Sequence, residues 1–201
     1  MVWIFPSFGG CYLLPPLNVC RYFKTLFALL LSYAVTNPIP DFLEILKVLS
    51  KHEVDFLVVG GVCAVLHGAP ITTFDLDIVH SRSQHNITNL LSALKELDAY
   101  YRESKEKILK PKLSHLASTG HHLLMTKSGP LDLLGTIGNK HSYSDLLPLT
   151  VDLNVSKLQV RILELETLIK IKKETITEKD KIIIPILQRT LEEKMKLKEK
   201  K

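Results

Sequence analysis

Val58-Val59-Gly60-Gly61, followed by Thr73-Phe74-Asp75-Leu76-Asp77-Ile78, is the stretch whose reading settles the architecture. The apolar run from Val54 to Val59 ends on a glycine pair, which predicts a buried strand that turns sharply. Val62 to Leu66 then continues as a short helix, closed by Gly68 and Pro70. From Phe74 the pattern alternates, with Phe74, Leu76 and Ile78 on one face and Asp75 and Asp77 on the other. A strand with one carboxylate-bearing face is expected here.

Upstream, Asn37-Pro38-Ile39-Pro40 is a stop signal, and Asp41 with Glu44 three residues later resembles a capping box. Phe42, Ile45, Leu46 and Leu49 recur at helical spacing after it, so the folded domain is expected to cover residues 41–201. Downstream, Asn86 to Leu97 carries a leucine stripe and reads as a helix, whereas Tyr101 to Thr119 is polar, basic and loop-like. His122 to Thr126 and Leu131 to Ile137 flank Ser128-Gly129 and read as a hairpin. Tyr143 to Leu147 reads as a helical turn and Leu158 to Leu163 as a strand. A helical part begins at about Glu164, with a final helix from about Lys179 that Pro185 is expected to kink. Helices and strands in this order predict an α+β fold, a sheet covered by helices with C-terminal helices added.

Residues 1–40 form an N-terminal extension. Leu26 to Val35, after Arg21 and Lys24, resembles the charged and apolar parts of a signal peptide, with Ser32-Tyr33-Ala34 as its cleavage site. The segment is too short to span a bilayer, so stable membrane insertion is not expected. A disordered extension or an early start codon is the preferred reading, and the protein is expected in the cytoplasm. Cys11, Cys20 and Cys63 have no metal-binding spacing; Cys63, among Val62, Ala64 and Val65, reads as core. Much of the net charge of +5 sits in Lys194, Lys196, Lys198, Lys200 and Lys201, expected to be a solvated helix end.

Asp75 and Asp77 lie two apart on one strand, so their side chains leave the same face. Two like charges so close are unfavourable unless a cation lies between them, and carboxylate oxygens suit magnesium or manganese. Gly60-Gly61 frees backbone amides at a helix start, where an anion is favoured. Asp132 stands in the apolar run Leu131 to Leu134, where a lone charge costs several kcal/mol unless it faces a polar site.

These residues come in an order that resembles the DNA polymerase β-like nucleotidyltransferase superfamily. The likeness is carried by Val58-Val59-Gly60-Gly61 with Ala64, His67-Gly68-Ala69-Pro70, Thr73 with Asp75-Leu76-Asp77-Ile78, Gly129-Pro130-Leu131-Asp132, Leu168-Ile169 with Lys172, and Lys179-Asp180. It spans roughly residues 41–191 and is strongest toward minimal nucleotidyltransferases and AbiE-type toxins. The resemblance implies a mixed sheet flanked by helices and a metal-dependent transfer of a nucleoside monophosphate from a nucleoside triphosphate to a hydroxyl on RNA, protein or a small molecule. It implies that Asp75, Asp77 and Asp132 bind Mg2+ or Mn2+, and that Asp132 also positions or deprotonates the acceptor. It further implies that Gly60, Gly61, Thr73 and Lys172 meet the phosphates and that Asp180 orients Lys172. A toxin with a cognate antitoxin, and transfer RNA as acceptor, are the partners it suggests. Ile71 and Thr177 stand where arginines are common in the group, so either a lower phosphate affinity or phosphate contacts from Arg82, Lys127 or Lys140 are expected. His67 reads as a capping and packing residue rather than a base. The alternative is a non-catalytic nucleotide-binding or partner-binding module on the same fold; a nucleic-acid-binding role for the basic tail is weaker, since no aromatic stacking platform is apparent.

Overall fold

The computed structural model describes residues 39–102 and 108–199. The expectation of a signal-like or disordered segment before Pro38 lies outside the described residues. The unit from Pro40 onward is compact, and its first helix, α1 (Phe42–Lys51), begins where the Asp41 carboxylate accepts the Glu44 amide at 3.0 Å. Ile45, Leu46, Val48 and Leu49 of α1 are buried on one stripe, as their 3-4 spacing requires.

Strand β1 (Phe56–Val59) is buried along its whole length and passes directly into α2 (Gly60–Leu66), with no loop between them. β2 (Leu76–His80) follows, then α3 (Gln84–Glu96), whose N-cap is Ser83. The region expected as loop holds two short elements, β3 (Tyr100–Tyr101) and α4 (Leu113–Leu116). The expected hairpin is β4 (His122–Thr126) and β5 (Gly129–Leu134). Next comes α5 (Tyr143–Leu146), then a second hairpin, β6 (Thr150–Val155) and β7 (Leu158–Leu163). Two helices end the chain, α6 (Leu165–Glu174) and α7 (Glu178–Glu199).

The strands make one seven-stranded mixed sheet in the order β3-β4-β5-β2-β1-β7-β6. β2 runs parallel to β5 and β1 parallel to β7, while the other neighbours are antiparallel. Central β1, β2 and β5 place Leu57, Val58, Leu76, Ile78, Leu131 and Leu133 in the core. α1 packs against α3, α2 against α6, and α6 against α7. The expected α+β architecture, a mixed sheet with helices, is thus the one observed.

Three further details differ from the sequence reading. β6 was not expected; it closes a two-residue turn in which Ser156 and Lys157 both have positive φ, +49° and +71°. Phe74 does not join Leu76 and Ile78, because β2 begins after it, and its ring is 73% exposed. Lys194 is not merely solvated, since its ammonium donates to His67 Nδ1 at 2.9 Å.

Candidate active site

The site grows from the strand-to-helix junction. Gly60 has φ +62°, a left-handed conformation that glycine adopts without steric cost. A Cβ on Gly60 would fall 2.0 Å from the Asp77 carboxylate, and one on Gly61 would fall 2.4 Å from the Thr73 hydroxyl. The glycine pair is therefore required for the turn to lie against Asp77 and Thr73. The Gly61 amide lies against the Asp77 carboxylate and favours its ionised form.

Sheet register then assembles the carboxylates. Asp77 of β2 lies between Val59 of β1 and Asp132 of β5, and Asp75 precedes Asp77 by one pleat period. Carboxylate oxygens of Asp75, Asp77 and Asp132 all lie within 4.8 Å of one another. The Thr73 hydroxyl donates to Asp75 at 3.0 Å and so ties the loop before β2 to the trio. Asp132 is only 6% exposed.

Crowding of this kind shows in the ionisation. Burial, then the charges of Asp75 and Asp132, push the Asp77 carboxyl up to about 7, while the Gly61 amide and Lys172 offset part of the rise. Burial also raises the Asp132 carboxyl, against the pull of Arg102. Three carboxylates held together at this electrostatic cost fit a divalent, oxygen-seeking cation, which would cancel the repulsion while its remaining coordination positions stay open.

Lys172 on α6 and Asp180 on α7 form a buried-edge ion pair of 2.7 Å beside the trio. Asp180 also accepts the Thr177 N–H at 3.1 Å and the Thr177 hydroxyl at 2.6 Å, and its own N–H returns a bond to that hydroxyl. This reciprocal capping box explains the residue at position 177: a threonine there starts α7 and fixes Asp180. Burial acts to raise the Asp180 carboxyl, but the bonds from Lys172 and Thr177 outweigh it and hold it below the usual range.

Of the cations expected to serve phosphate, Arg82 bonds the Gly135 carbonyl at 3.5 Å, and Lys127 and Lys140 are exposed on turns. Among the described residues none of the three makes an ion pair with the trio. The arginine that does is Arg102, whose guanidinium donates to Asp132. The sequence hid it in a basic stretch with no periodicity; its only signal was its place two residues past Tyr100 in a β-prone Tyr-Tyr pair. His67 is 8% exposed, its Nε2 donating to the Leu163 carbonyl at 2.7 Å and its Nδ1 receiving Lys194. Burial lowers its pKa, and both ring nitrogens are engaged in packing. Cys63 is wholly buried, with its thiol on the Leu163 carbonyl and pushed up to about 12 by burial, which leaves it unreactive.

No protein-family model and no curated protein sequence matches the chain. Among solved structures, the lincosamide antibiotic adenylyltransferase LnuA bound to lincomycin superposes with a TM-score of 0.50 at 15% identity, over 73% of this chain and 94% of that one. A Thermotoga maritima protein provisionally assigned as a nucleotidyltransferase aligns with a TM-score of 0.43 at 16% identity, over 79% of this chain and 91% of that one. With its mixed sheet, its glycine turn and its three clustered aspartates, the chain adopts the polymerase β-like nucleotidyltransferase fold.

Proposed function

We propose that the protein is a metal-dependent nucleotidyltransferase that moves a nucleoside monophosphate from a nucleoside triphosphate to an acceptor hydroxyl. The observation that carries this reading is the convergence of Asp75, Asp77 and Asp132 within 4.8 Å against the Gly60-Gly61 turn. In this reading Asp75, Asp77 and Asp132 hold Mg2+ or Mn2+. When bound, the cation offsets the negative charge on the phosphates and on the attacking and leaving oxygens.

The chain's own groups do the rest. The acceptor oxygen attacks the α-phosphorus, the bond from that phosphorus to the bridging oxygen breaks, and pyrophosphate leaves. Asp132, which faces the trio from β5, is the carboxylate placed to take the acceptor's proton. Gly60, Gly61 and Thr73 line the approach of the triphosphate, and Lys172, held by Asp180, supplies positive charge toward it. Such a substrate is a cytoplasmic metabolite, and among the described residues no helix is long and apolar enough to cross a membrane.

The test is incubation of the purified chain with magnesium and each α-labelled triphosphate, together with cellular RNA, protein or small hydroxylated compounds. Release of pyrophosphate and label on one acceptor class supports the reading; label on transfer RNA would add the toxin role and its antitoxin. Nucleotide binding with no transfer under any of these conditions would instead leave a binding module.

A further inference from the structure

We infer that Arg102 is a triphosphate-binding residue, held on Asp132 in the free protein and transferred to substrate phosphate when the cation and nucleotide enter. The inference deepens the nucleotidyl-transfer reading and rests on it.

The backbone under Arg102 is fixed. Its N–H donates to the Leu123 carbonyl at 3.0 Å, and Tyr101 just before it is paired with Leu124 across β3 and β4. The side chain is therefore delivered to the trio from a set point on the sheet. Its contact with Asp132 uses a single nitrogen, Nη2, on a single oxygen, Oδ1. A guanidinium carries five donors in a planar fork, and among the described residues this contact engages one of them, which leaves donors to meet another anion. The side chain is 28% exposed where Asp132 is 9%, which puts the guanidinium on the solvent side of the pair.

The other guanidiniums of the described region are committed elsewhere, Arg161 on Asp152 and Tyr143, Arg82 on the Gly135 carbonyl and Arg189 on Glu192 and Glu193, and Lys172 is on Asp180. Arg102 is thus the guanidinium already standing against the three carboxylates. In the free protein it supplies the positive charge that one of them lacks. Once a divalent cation sits among the carboxylates, Asp132 no longer needs Arg102 as its counter-charge. The metal-bound triphosphate that enters beside it is still an anion, with oxygens that match the fork two at a time. One residue would thereby serve two states of the site.

A residue that merely pins Asp132 and one that exchanges onto phosphate differ in the sign of their effects. Arg102→Met keeps the apolar stem and removes the charge; Arg102→Lys keeps the charge and removes the fork. Two ligands that need no knowledge of the base are used: Mn2+ alone, followed by its free paramagnetic resonance signal, and magnesium tripolyphosphate, followed by calorimetry. For Arg102→Met the expected result is Mn2+ affinity equal to or above wild type, because a competitor for Asp132 is gone, with tripolyphosphate affinity lower by about tenfold or more. Arg102→Lys is expected between the two on tripolyphosphate. Equal weakening of both ligands, or unchanged tripolyphosphate affinity, would overturn the inference and leave Arg102 a structural pin. If wild type releases pyrophosphate while Arg102→Met binds tripolyphosphate normally, this inference alone fails. If wild type binds neither ligand, the proposed function fails with it.

Discussion

Asp77→Asn is expected to stabilise the metal-free protein at neutral and alkaline pH while abolishing transfer. The Asp77 carboxyl is lifted from 3.8 to about 7, first by burial and then by Asp75 and Asp132. A rise of that size corresponds to about 4 kcal/mol. Because the folded pKa is above the unfolded one, the folded chain keeps a proton that the unfolded chain releases, so stability is full below about pH 4 and falls as pH rises to about 7. Above pH 7 the wild type carries the whole penalty. Asparagine stays neutral and keeps an oxygen for the Gly61 amide, so it avoids most of that penalty. A recovery of about 2 to 4 kcal/mol raises the melting temperature by roughly 4 to 16 °C in a domain of this size. The assay is a melting series in chelator from pH 4 to pH 9 for both proteins, with pyrophosphate release in magnesium measured alongside. The gap should close toward pH 4 and level off above pH 7, with activity lower by orders of magnitude. A variant that melts below wild type at pH 8 would make Asp77 a structural residue, and near-normal turnover would place the metal elsewhere.

Gly60→Ala puts a Cβ 2.0 Å from the Asp77 carboxylate at φ +62°, so it is expected to cost about 1 to 2 kcal/mol in backbone strain alone and to weaken Mn2+ binding severely. Denaturant melts and metal titration check both. Asp180→Ala removes the capping box of α7 and frees Lys172, and is expected to lower stability by about 1 to 2 kcal/mol and tripolyphosphate affinity with it. A chain starting at Asn37 is expected to melt and to bind triphosphate as the full chain does; calorimetry on the two proteins decides.

Central elements were legible because their sequence patterns and their burial agree. β1 is an unbroken apolar run and is buried throughout, and α1 carries both its cap and its stripe. The aspartates could be assigned to one face by alternation, and the neighbouring strands bring Asp132 opposite Asp77. β6 escaped because its turn, Ser156-Lys157, holds positive φ without glycine or asparagine, the residues that advertise such a turn. Its alternation of Thr150, Val151, Asp152, Leu153, Asn154 and Val155 also buries little, as befits an edge strand. Phe74 departs from its pattern for a related reason: an apolar residue at the right interval does not extend a strand when the Thr73 hydroxyl turns the chain onto Asp75 first. Arg102 was less legible because its place beside Asp132 comes from β3 pairing with β4, a contact between short segments with no period of their own.

The parallel seams of the sheet also govern when the site comes into being. β2 cannot gain its β5 neighbour until Leu131 to Leu134 are available, and β1 waits longer still for Ile162 of β7. Cys63 and His67 both close onto Leu163, so the helix that carries the glycine turn is clamped by residues about a hundred positions later. Contacts this distant along the chain form late, after the local helices and hairpins. A nascent polypeptide emerging from the ribosome would therefore display Asp75 and Asp77 long before it can bring Asp132 and Lys172 around them, and the cluster would close only after the segment through Asp180 has been made.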